Sequence, residues 1–107
     1  GGIIMGIGYT LYEDWQLDTA TGHIITKSLE DCRITGIGDV PEMQIEFMEH
    51  GFDHSQSGGV GVGEASMVPV AASIASAIKH ATGWQPTELP IRPQHIIEAM
   101  AELEGRK

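Results

Sequence analysis

The sequence predicts an α+β fold in which a glycine-rich N-terminal helix and two C-terminal helices pack on a small mixed sheet, as a single domain over residues 1–107. Apolar residues recur at helical spacing in three stretches. In one stretch between them they alternate with polar residues, and glycine and proline mark the boundaries. Helices on one side of a small sheet are a stable way to bury such faces.

The first helix rests on Ile3, Ile4, Ile7 and Leu11 and is expected to end near Asp14. Gly6 and Gly8 each cost about 1 kcal/mol against alanine inside a helix, so something must offset them. Gly2 and Gly6, one turn apart, open one face to close helix packing or to direct contact with a flat ligand, and packing is the reading preferred. Asp18 to Gly22 reads as a turn, with a short extended piece from His23 to Thr26.

Asp39-Val40-Pro41 introduces the clearest strand, residues 42 to 49, where Met43, Ile45 and Phe47 alternate with Gln44 and Glu46. Its pairing strands could lie in sequence outside the chain, and an exposed edge would then promote association into homo-oligomers. A second helix is expected from Pro69 to Thr82, with Ile74, Ala77, Ile78 and Ala81 on one face and Ser73, Ser76 and His80 on a polar stripe. Pro69 suits its first turn and Gly83 its end. The connector Leu89-Pro90-Ile91-Arg92-Pro93 leads to a last helix, Pro93 to about Glu104, with Ile96, Ile97, Met100 and Leu103 as its apolar face.

Six basic against fifteen acidic residues give a net charge of −9, which argues against nucleic acid and anionic membrane surfaces as partners. The single Cys32 forms no intrachain disulfide and is compatible with a reducing cytoplasm. The apolar opening, Gly1 to Leu11, is too short for a membrane span and lacks the basic start of a signal peptide. His50 and His54 have no further Cys or His cluster to complete a zinc set, so no side-chain metal site is expected.

The segment Ser57-Gly58-Gly59-Val60-Gly61-Val62-Gly63-Glu64 carries the chemical signal. Glycine lets a backbone approach a ligand closely, so a carboxylate delivered by this loop suits a fixed proton acceptor beside something bound. A solvated surface turn is the competing reading. Phosphate cradling fits poorly, since the loop has no Lys or Arg and its one charge is negative. The spacing Gly59-x-Gly61-x-Gly63 also misses the dinucleotide fingerprint.

Taken in order, Gly1-Gly2, Met5-Gly6-Ile7-Gly8-Tyr9-Thr10-Leu11-Tyr12-Glu13, Gly22, Ser28-Leu29-Glu30-Asp31, Asp39-Val40-Pro41, Gly61-Val62-Gly63-Glu64, Ala77-Ile78-Lys79, Gly83 and Leu89-Pro90-Ile91-Arg92-Pro93 carry a resemblance. The chain resembles the C-terminal part of the molybdopterin-binding subunit of the xanthine dehydrogenase and aldehyde oxidase family. The resemblance implies that Glu64 is the general base beside a molybdenum and that Gly61, Val62 and Gly63 contact the cofactor. It implies oxidation of an N-heterocycle or aldehyde with water as oxygen source.

The implied cofactor is molybdopterin, as such or in a dinucleotide form, with iron–sulfur clusters and FAD on other domains or subunits. Partners would be the remaining molybdopterin-subunit sequence, the iron–sulfur and flavin parts and a small-molecule substrate, in the cytoplasm. Val60 stands where family members often carry a basic residue, and a cofactor-contacting glutamine would lie before Gly1. At 107 residues the chain would supply the base and one wall of a pocket, bind no cofactor and show no activity alone. The alternative is a non-catalytic assembly or folding module derived from such a subunit.

Overall fold

The computed structural model describes residues 1–106. In chain order it holds helix α1 (Gly2–Leu11), a short 3-10 turn (Ile37–Asp39), helix α2 (Val70–Thr82) and helix α3 (Pro93–Gly105).

Helix α1 ends three residues before the expected Asp14. The Gly8 carbonyl accepts from both Tyr12 and Glu13 N–H, at 2.9 Å each, and Tyr12 leaves helical geometry at φ −124°. The two interior glycines are explained by packing. A β-carbon on Gly6 would lie 2.5 Å from Val70 Cβ, and one on Gly8 would lie 2.6 Å from Glu13 Oε1. Gly6 lets α1 approach α2 this closely and Gly8 leaves room for the Glu13 and Thr35 side chains, and the burial gained at the helix contact offsets glycine's poor helix propensity.

Helix α2 begins where Pro69 accepts bonds from both Ser73 N–H and Ser73 Oγ, at 2.9 and 2.8 Å. It ends on Gly83, whose φ of 80° is the left-handed cap conformation, with its N–H on the Lys79 carbonyl. Helix α3 starts with Pro93 at its first position, preceded by the extended Arg92. The connector before it is pinned to α1: Ile91, 2% exposed, donates its N–H to the Thr10 carbonyl at 2.7 Å. The Arg92 guanidinium pairs with the Asp14 carboxylate just past the end of α1.

The expected mixed sheet does not form among the described residues. One isolated antiparallel bridge, Leu17 to Ile24, closes a hairpin turned by Asp18 to Gly22. Its bend is held by Asp18, which accepts from Ala20 N–H at 2.9 Å and Thr21 Oγ at 2.6 Å. The Thr21 hydroxyl, then the Ala20 amide, hold the Asp18 carboxyl below the usual carboxylate range. Residues 42 to 49, expected as the clearest strand, carry neither helix nor turn and pair with no other segment. A strand is defined by its neighbour, and alternation alone does not supply one.

The buried apolar core is correspondingly small: Ile7, Val70, Ile91 and Ala99. The accessible surface is 8593 Å², against about 5,800 Å² for a folded monomer of this size. The radius of gyration is 18.1 Å, against about 13 Å for a compact domain of 100 residues. Apolar side chains that a free-standing domain would bury, Phe47, Met48, Trp15 and Leu29 among them, face outward.

Candidate functional site

The glycine-rich loop runs into α2 through a chain of turns from Gly63 to Pro69. Met67 N–H bonds to the Glu64 carbonyl at 3.0 Å and Val70 N–H to the Met67 carbonyl at 3.2 Å, so the backbone at Glu64 is curled against the helix start. Ser66 Oγ lies 3.5 and 3.4 Å from the Val62 and Gly63 carbonyls and gathers the loop from below.

Helix α1 holds this turn at two points. A β-carbon on Gly2 would overlap the Ser66 hydroxyl and lie 3.0 Å from the Gly63 carbonyl oxygen, so the bare Gly2 seats the loop directly. One face farther along, Tyr9 donates its hydroxyl to the Met67 carbonyl at 3.2 Å. Glu64 therefore sits between two anchors, one at residue 63 and one at residue 67. Its own side chain is exposed.

The predicted site residues are brought together in part. Val62 and Gly63 line a cavity of about 370 Å³ with Gly1, Gly2, Ile3, Ile45, Phe47 and Ser66. Gly61 and Glu64 stand beside that lining without being part of it. A second cavity of about 470 Å³ adjoins it through the shared Phe47 and Val62, and it is lined by Met48, Phe52 and Val60 with Glu46 and Glu49 among its walls. At Gly59, Gly61 and Gly63 nothing stands within 4 Å of where a β-carbon would be, so the loop's outer side is open to a ligand's close approach.

Tyr9 and Ser66 were not singled out from the sequence. Tyr9 follows Gly2 and Gly6 at helical spacing on one face, and that spacing was the available signal. Ser66 gave none. Cys32 is half-buried. Among the described residues no group of three His, Cys, Asp or Glu side chains could hold a metal ion, and no helix is long and apolar enough to cross a membrane.

Comparison with known proteins matches residues 1–41 to the molybdopterin cofactor-binding domain family. The chain is 35% identical over 98 residues to the xanthine dehydrogenase molybdenum-binding subunit of Escherichia coli O157:H7, covering 92% of this chain and 13% of that subunit. It is 32% identical over 101 residues to the aldehyde oxidoreductase of Megalodesulfovibrio gigas, covering 94% of this chain and 11% of that protein. The crystal structure of quinoline 2-oxidoreductase from Pseudomonas putida 86 superposes on 95% of this chain and 13% of its own, with a TM-score of 0.79 at 30% identity.

The chain is homologous to one segment of the molybdenum-binding subunits of the xanthine dehydrogenase and aldehyde oxidase family.

It spans about one eighth of the length of the relatives it matches. The family match over residues 1–41 covers α1, the helix that seats the Glu64 loop.

Proposed function

We propose that this chain supplies one wall and the general base of the molybdenum site of a hydroxylase that oxidises an N-heterocycle or aldehyde with water as oxygen source. Glu64 is the base. The observation that carries this reading is the double anchoring of its loop, by Gly2 against Gly63 and Ser66 and by Tyr9 against the Met67 carbonyl. A base must be held in place relative to the proton it takes, and a merely solvated turn needs no such hold.

The residues present fit a large planar cofactor. The bare glycines of the loop leave room for backbone contact, and Gly61, Val62 and Gly63 would form that contact surface, with Ser66 holding the Val62 and Gly63 carbonyls from behind. Molybdopterin, when bound, supplies the metal centre that takes electrons from the substrate. Glu64 accepts a proton at a carboxylate oxygen as the water-derived oxygen is delivered to the substrate carbon. Ile45, Phe47 and Val62 give the cavity beside the loop an apolar lining. Iron–sulfur and flavin partners would carry electrons away, and the remaining subunit sequence would supply the other walls.

The test is Glu64→Gln in the assembled enzyme. Molybdenum content should be unchanged while turnover falls by roughly 10²-fold or more. Unchanged turnover would leave the chain as a non-catalytic assembly module.

A further inference from the structure

We propose that residues 42–49 are one strand of a sheet completed by an extended segment of the molybdenum-binding subunit that lies outside this sequence. The proposal rests on the reading of the chain as part of such a subunit. Among the described residues the main chain from Pro41 to Gly51 makes no backbone hydrogen bond. Eleven consecutive residues of main chain are left to water or to a partner. A chain that bears large apolar side chains at alternate positions gains little from leaving that backbone wet.

The side chains say which face is covered. Met43 is half-buried, and Ile45 and Phe47 line one cavity against Gly1, Gly2 and Ile3, while Glu46 to Glu49 border the adjoining one. Yet Ile45 is 55% and Phe47 74% exposed, so the face is only partly covered from within. The opposite positions are Glu42, Gln44 and Glu46. The whole chain leaves about 2,800 Å² more surface than a domain of its size, several times the roughly 800 Å² each partner gives to an ordinary interface.

The occupant that fits is a strand with apolar residues opposite Met43, Ile45 and Phe47 and with Lys, Arg or Thr opposite the glutamates. The molybdenum-binding relatives have some seven-eighths of their length available to provide it. A second copy of this chain fits less well. Parallel in-register self-pairing would bring Glu42, Glu46 and Glu49 of one copy beside the same glutamates of the other, and antiparallel pairing of 42–49 would set Glu42 opposite Glu49, in a chain of net charge −9.

Amide hydrogen exchange, read by mass spectrometry on the native assembly that contains this sequence, tests the strand. Amides 43–49 should exchange at least about 100-fold more slowly than an unstructured peptide, and exchange at the unstructured rate overturns the proposal. Cross-linking in an assembly mixed from light and heavy isotopes identifies the neighbour. Links from 42–49 to other sequence of the molybdenum-binding subunit support the proposed occupant, and links between two copies of 42–49 overturn it. Ile45→Pro should abolish the protection while Ile45→Val keeps it; protection that survives the proline also overturns the proposal. Metal analysis of the same sample separates the two readings. A protected strand without molybdenum keeps the strand and sinks the catalytic proposal, and molybdenum with an unprotected strand does the reverse.

Discussion

The junction of α1 with α2 and the segment from residue 42 to residue 62 differ in where their contacts come from. At the junction every demand is met inside the chain: Gly6 admits Val70, Tyr9 reaches Met67, and Thr10 binds Ile91. Along 42–62 Ile45, Phe47, Met48, Val60 and Val62 face outward and the backbone up to Gly51 has no backbone partner among the described residues. The contrast teaches that the chain carries the seat for its glycine-rich loop while leaving the neighbouring apolar segment largely uncovered.

Substitutions can break or sharpen that contrast. Gly6→Ala should cost the most, about 1–3 kcal/mol from overpacking against Val70. The loss should be similar in the free chain and in the assembly, and Val70→Ala should recover part of it in a double-mutant cycle read from denaturation midpoints. A loss seen only in the assembly would mean that the junction also depends on outside contacts. Asp14→Asn, which removes the charge paired with Arg92 at half-exposed positions, should cost about 0–1 kcal/mol and less in high salt.

Acid offers a more local probe. The Gly36 N–H, then the Arg33 guanidinium, hold the Asp39 carboxyl below the usual carboxylate range. A depressed folded-state value means that the stabilisation is complete above the unfolded carboxylate's value, near pH 4, and is lost as pH falls through the lower folded one. The turn at 36–39 should therefore loosen below about pH 4, read as a change in Arg33 and Gly36 chemical shifts that Asp39→Asn abolishes. The smallest effect is expected for Phe47→Ser in the free chain, within about 0.5 kcal/mol because the ring is exposed there. In the assembly the same change should cost several times more, and equal costs in both would erase the contrast.

The parts legible in the sequence were those governed by local rules. Helices α2 and α3 lie within a residue or so of their expected limits, because Pro69, Gly83 and Pro93 mark boundaries by backbone chemistry alone. The α1 terminus shifted because the double bond to the Gly8 carbonyl is a detail no periodicity encodes. The expected sheet around 42–49 is absent among the described residues because pairing belongs to two segments and periodicity speaks for only one of them. At the site, the loop and Glu64 stood out by composition. That Gly2 and Tyr9 hold them did not, since the contact joins residues 58 positions apart.

That separation bears on how the molecule can change over time. Helix α1 fixes the glycine-rich loop from the far end of the sequence, so much of the chain from about residue 14 to residue 40 is a detour between two parts of one spot. The hairpin and the turn at 37–39 could lengthen or shorten while the Glu64 carboxylate kept its address.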